Sequence, residues 1–259
     1  LYFLRKVSYK ARYSLSSATA LTAITEPILN WGIQFSGRIS SDLDNVFHMC
    51  TKPAKNSQFR QSKFEKIFSI NESELNVLFI GNYGYQYNFD SIMKTARYLK
   101  SCSKKISFIF AGSGPKYSYL KNISRDLENV FVLEWVNGQD LGYLLSRCQI
   151  GLLPYKNSKD FSYTFSNKFP EYLSYGLVCA CGVDGEMAKL VKKYNCGFSY
   201  NSLDEQDLGR KLLGLLNEET LMQGYYENAV NLHEKMFNAD IIFNRYSDYL
   251  ECISEGRNI

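Results

Sequence analysis

Ile150-Gly-Leu-Leu-Pro154, then FSNKFPEYLSYG (Phe165–Gly176) and LVCACG (Leu177–Gly182), is the stretch whose reading decides the fold. An apolar run without polar alternation reads as a parallel strand buried on both faces. After it come a polar loop, a helix start, a lone carboxylate at Glu171 and a stopping glycine at Gly176. In an α/β sheet, ligands sit outside the carboxyl ends of the strands, against helix N-termini. There Ser166, Asn167 and Lys168 would aim backbone N–H groups and one cation at an anion. Glu171, one turn into the helix, would reach a neighbouring hydroxyl. A phosphate beside a sugar points to a nucleotide diphosphate.

Outward from this segment the pattern is regular. Strands are expected at 76–80, 106–111, 129–135, 149–154, 177–182 and 197–200. Helices are expected near 89–100, 117–125, 140–147 and 186–194, with GNYG (81–84) and GSGP (112–115) as turns. This alternation predicts an α/β fold with a doubly wound parallel, Rossmann-like sheet. The tail is expected to be helical over 205–216, 219–236 and 239–254. The head differs: ALTAIT (20–25) alternates, and Glu26-Pro27 opens a helix through Trp31, since Pro is accepted in a first turn. The span 52–73 is polar, holds Pro53 and reads as a linker.

Bulk properties narrow the function classes. The 259 residues suffice for a real core, with 45% hydrophobic and 22% charged residues. A net charge of +4, spread along the chain, is not the basic stripe of a nucleic-acid binder. It allows only a weak attraction to anionic lipid at a membrane surface. Seven cysteines without repeated spacing suggest neither a zinc site nor a disulfide framework, and are read as buried free thiols. Cys179 and Cys181, two apart in an expected strand, are taken to face opposite sides. With only two histidines no multi-histidine metal site is expected, and Asp42-Leu43-Asp44 lies far in sequence from the expected site. No run of about 18 apolar residues exists and Leu1–Arg12 lacks the apolar core of a signal peptide. The missing initial Met marks the chain as a fragment or a processed product.

In order and spacing, GNYG (81–84), GSGP (112–115), NVFVLEWV (129–136), IGLLPY (150–155), SNKFPEYLSYG (166–176) and DGE (184–186) resemble a known series. It is that of the donor-binding half of retaining GT-B glycosyltransferases, the family-4 group that uses nucleotide sugars. The resemblance runs from about Asn76 to Ser254. ATALTAITEPILNWGIQF (18–35) is similar to the segment that finishes the acceptor-binding domain, and Phe47 through Phe59 to the interdomain crossing. The implied domains are 1–50, a remnant of the acceptor-binding domain; 51–75, a linker; 76–236, the nucleotide-sugar domain; and 237–259, a helix packing back toward the first. About 150 upstream residues, a domain's worth, would then precede the chain.

The resemblance also implies roles. Gly81, Asn82 and Gly84 let backbone approach a diphosphate. The family's usual Arg and Lys there are replaced by Asn82 and the Tyr87–Asn88 region, so Lys168 is expected to supply the charge, unless it is merely solvated. Glu171 is expected to hold both ribose hydroxyls, and Tyr163 occupies the place of the family's sugar-contacting glutamate. Gly112 and Gly114 either leave room for the nucleotide or serve the turn alone. Val136 is expected to read the base edge through its backbone, Trp135 either flanks the ring or packs in the core, and Tyr155 sits at the pocket rim. No cofactor or metal is expected beyond the nucleotide-sugar donor. The implied partners are that donor and a glycan or lipid-linked acceptor, with no nucleic acid, in the cytoplasm or at the inner membrane face.

A UDP-sugar is favoured, and surface-polysaccharide biosynthesis is the expected setting. As a fragment the chain would bind donor but turn over poorly. Two other classes stay open: a nucleotide-sugar 2-epimerase, for which neither His48 nor His233 is well placed, and a non-catalytic nucleotide-sugar-binding or receiver-like module. The receiver is disfavoured because the first strand runs straight into Gly81 without an acidic cluster.

Overall fold

The computed structural model describes residues 2–54, 64–65, 75–102, 105–136 and 138–256. Most of the expected linker therefore lies outside the described residues. The body is a six-stranded parallel sheet of β3 (Leu75–Asn82), β4 (Ile106–Ser113), β5 (Val130–Leu133), β6 (Ile150–Leu153), β7 (Val178–Cys181) and β8 (Gly197–Ser199). Its order is β5-β4-β3-β6-β7-β8, so the winding reverses between β3 and β6. Around it lie α3 (Phe89–Ser101), α4 (Tyr117–Ile123), α5 (Gly138–Arg147), α6 (Lys159–Ser162), α7 (Lys168–Ser174), α8 (Glu186–Tyr194) and α9 (Asp207–Leu215). Two long helices, α10 (Glu219–Met236) and α11 (Ala239–Ser254), complete the chain. The expected doubly wound architecture is what the chain adopts.

β6 and β7 are buried at every position because helices cover both sheet faces. The two expected glycine turns begin later than the sequence suggested. β3 and β4 continue their parallel ladder through Gly81↔Gly112 and Asn82↔Ser113, so these residues belong to strand ends. Gly112 is forced by contact: a β-carbon there would lie 1.8 Å from the Gly81 carbonyl oxygen. By contrast β3 and β6 pair only at Val77↔Ile150 and Leu78↔Gly151. Beyond that point Tyr172 of α7 is wedged between them. Its hydroxyl accepts from the Ile80 N–H at 3.1 Å and donates to the Leu78 carbonyl at 3.1 Å. The two strands are thus held apart where the winding reverses, which is where α/β sheets open a ligand crevice.

The head holds α1 (Tyr2–Ser17), β1 (Thr22–Ala23), α2 (Glu26–Ser36) and β2 (Asn45–Val46), with β1 and β2 a small parallel pair. Three expectations change here. α1 was not foreseen, the ALTAIT strand shrinks to two residues, and α2 runs past Trp31 until Gly37 ends it in a left-handed turn. Head and body meet through the crossing segment. Thr51 pairs with the backbone of Phe237 and Ala239, and the Tyr249 hydroxyl of α11 donates to the Leu43 carbonyl at 2.9 Å. Phe47 packs its ring against Tyr246 and Tyr249 of the same helix.

All seven cysteines are free, four of them buried. Cys179 and Cys181, two apart on β7, share a face rather than opposing, as the period of a strand requires.

Candidate functional site

α7 starts without a side-chain cap: Asn167 is its N-cap residue but its side chain bonds no backbone N–H. The amides of Ser166, Asn167 and Lys168 donate to no partner among the described residues. The helix's third residue is Pro170, which has no N–H to satisfy. Unpaired amides at a helix start, reinforced by the helix dipole, form a nest for an anion.

Lys168 lies directly beside that nest. Its ammonium donates to the Tyr87 hydroxyl at 2.7 Å and stands 4.9 Å from the Tyr87 ring, 5.2 Å from Phe79 and 5.7 Å from Tyr155. This aromatic cage is built by the chain's return over the crevice, where Tyr87 and Tyr155 form an antiparallel bridge. Asn88 N–H donates to Pro154 O and Lys156 N–H to Gln86 O, fixing that bridge on both sides. Gly81 leaves room for the lysine: a β-carbon there would meet Lys168 Cε at 3.1 Å and Nζ at 3.2 Å. Burial pushes the Lys168 ammonium down to about 8, with the Glu171 charge opposing. The same burial lifts the Glu171 carboxyl above its usual range, and the Lys168 charge pulls it back. Among the described residues the Glu171 carboxylate accepts no hydrogen bond. A half-buried cation, a half-buried carboxylate and three open amides thus come together at the start of α7.

The other expected site residues fall into groups. Asn82 is exposed at the end of β3, and Gly84 is buried beneath Gln86. Gly114 lies close against Asn82 Oδ1 and the Tyr83 backbone, so the GSGP turn is stitched to the β3 turn. Val136 is buried just past β5, on the far side of β4 from the crevice. Trp135 is 69% exposed, which removes core packing and leaves a ring free to flank a ligand. Tyr155 is buried in the lysine cage rather than at a pocket rim. Tyr163 closes α6, a short helix not foreseen in the polar loop, and is 42% exposed. The Ser166 hydroxyl is sealed from solvent and has no hydrogen-bond partner among the described residues.

Phe79 and Tyr172, which help build the cage and the wedge, did not stand out in the sequence, and Tyr87 was noted only as standing in the place of the family's lysine; all three looked like ordinary core aromatics among 20 tyrosines and 17 phenylalanines. Among the described residues no three His, Cys, Asp or Glu side chains gather as a metal site, and no helix is long and apolar enough to cross a membrane.

Residues 60–232 match the family described as Glycosyl transferases group 1. The chain belongs to this family. No curated protein matches the sequence. As a group 1 glycosyl transferase it shares its fold with solved GT-B enzymes. HepE (Alr3699) from Anabaena, in complex with UDP and glucose, superposes with a TM-score of 0.76 at 16% identity, over 95% of this chain and 67% of that one. WaaG, a glycosyltransferase involved in lipopolysaccharide biosynthesis, gives a TM-score of 0.65 at 15% identity, over 83% and 58%. Sucrose-phosphate synthase from Thermosynechococcus elongatus gives 0.71 at 12% identity, over 97% and 62%. The chain spans about three fifths to two thirds of the length of these three structures.

Proposed function

We propose that this group 1 glycosyl transferase binds the diphosphate of a nucleotide sugar, a UDP-sugar in preference, in the crevice between β3 and β6. The observation that carries this is the meeting of the open amides of Ser166, Asn167 and Lys168 with the Lys168 ammonium and the unpaired Glu171 carboxylate. The diphosphate takes the amides and the cation, and Glu171 takes the ribose hydroxyls. Asn82, Gly81 and Gly84 then lie along the phosphates, Tyr163 toward the sugar, and Val136 with Trp135 toward the base. Gly112 and Gly114 keep the floor of that groove low, and Tyr155 holds the lysine. That HepE was solved with UDP and glucose in the same fold supports a UDP-sugar.

The transfer proposed proceeds with retention, as in family-4 enzymes. The bond from the anomeric carbon to the leaving diphosphate oxygen breaks, and a bond to an acceptor hydroxyl oxygen forms on the same face. The hydroxyl proton passes to the leaving diphosphate. The amides and Lys168 stabilise the charge that develops on that leaving group. The acceptor is a glycan or lipid-linked glycan of a surface polysaccharide, handled at the inner face of the membrane. Residues 1–50 close an acceptor-binding domain, 51–75 link it, 76–236 bind donor and 237–259 pack back across the interface. The involvement of WaaG in lipopolysaccharide biosynthesis supports that setting.

Calorimetric titration with UDP-, GDP- and ADP-sugars tests the site. The UDP-sugar should bind best. Glu171→Ala and Lys168→Ala should each weaken it roughly 10- to 150-fold, the worth of a charged hydrogen bond of about 1.5–3 kcal/mol. Unchanged affinity in both variants would remove the assignment.

A further inference from the structure

We propose that Thr25 of the head is a positioning residue for the donor loop, an inference that rests on the donor-site reading above. Thr25 is 1% exposed and caps α2, where its Oγ1 accepts from the Ile28 N–H at 3.4 Å. Its proton goes elsewhere: the hydroxyl donates to the carbonyl of Tyr163, 138 residues along the chain. A hydroxyl has one proton and two lone pairs, so one side chain serves both bonds. The neighbouring Ile24 carbonyl is bonded to His48 Nδ1 at 2.8 Å. The His48 ring in turn stands edge-on to Phe165 at 5.2 Å, and Phe165 is buried against Phe169 and Phe237.

Two consecutive head residues, Ile24 and Thr25, therefore hold the loop at Tyr163 and, through His48, at Phe165. The next three residues are Ser166, Asn167 and Lys168, whose amides face the diphosphate. α7 provides no cap of its own to fix this entry. The head sets the angle at which the chain enters the anion nest, so the position of the head and the occupancy of the donor site are coupled. Such coupling is reciprocal: if Thr25 improves UDP binding, bound UDP must steady the Thr25 contact.

The test uses the full 259-residue chain with UDP as the probe. Thr25→Ser keeps both bonds, Thr25→Val removes both, and Thr25→Asp keeps an N-cap acceptor but has no proton to donate. Calorimetry should give wild-type affinity for Thr25→Ser, and roughly 2- to 12-fold weaker binding for both Thr25→Val and Thr25→Asp, the worth of one net hydrogen bond. Hydrogen exchange supplies a reading that α2 capping alone would not move. UDP should slow exchange across residues 26–36 in the wild type, and less so in Thr25→Asp. Wild-type affinity in Thr25→Asp, or exchange in α2 indifferent to UDP in the wild type, would overturn the inference alone. The wild-type exchange result stands even where a variant fails to fold. A wild-type chain that does not bind UDP would overturn the site reading and this inference together.

Discussion

Lys168 stands between two surroundings with opposite effects: aromatic rings that exclude water and a nest that attracts an anion. Its ammonium is pushed down to about 8 by burial. Unliganded, the amine is charged below that pH and becomes neutral above it, while a diphosphate binds the charged form. Affinity for a UDP-sugar should hold steady below about pH 7 and fall as pH rises through 8. Lys168→Met should bind more weakly throughout and lose this fall, as calorimetry at several pH values would show. Stability carries the opposite sign. The folded pKa lies below the unfolded value of 10.5, so the unfolded chain holds more protons between about 8 and 10.5. Across that window the wild type should gain stability relative to Lys168→Met, measurable in urea melts. None of this was legible in the sequence beyond the lysine itself, because the cage joins Phe79, Tyr87 and Tyr155 from three separate segments.

Elements whose pattern is local were legible. α8, α10 and α11 fall at the boundaries the sequence suggested, because amphipathic periodicity and the chain's stopping residues lie within each helix. Strand ends were misplaced where glycine suggested a turn, at Gly81 and Gly112, because a ladder partner decides where a strand stops. Gly112 makes a sharp element-level test. A β-carbon there meets a backbone oxygen at 1.8 Å, and no flexible side chain can yield. Gly112→Ala should cost about 1–3 kcal/mol or more in denaturant unfolding, as overpacking does. It should also weaken UDP binding, because Gly81 floors the lysine site. α6, four residues long, is too short to show a period, and α1 is exposed along almost its whole described length, while the Thr25–Tyr163 bond was invisible because no local pattern encodes a contact across 138 residues.

On the scale of the whole molecule, head and body are joined by an aromatic cluster centred on Phe237. This fully buried ring touches His48 from the crossing segment, Phe165 from the loop before α7 and Phe169 from α7 itself. Phe237→Ala should cost about 3–5 kcal/mol. It should also split the unfolding transition, with head signals from Trp31 lost before body signals from Trp135, as single-tryptophan variants would report. The family resemblance implied a return of the last helix toward the head, but not that its approach would be fastened beside the loop before α7. A second polar cleft of about 590 Å³ lies near the ends of β6, β7 and β8, lined by Asn88, Asp184, Tyr200 and Asn201, and competes as a place for a nucleotide. A crystal structure of the chain with UDP decides between them most directly. The β-phosphate should lie within hydrogen-bond distance of the Ser166, Asn167 and Lys168 amides, with the ribose hydroxyls on Glu171. UDP seated in the β6–β8 cleft, with the start of α7 bare, would contradict this placement.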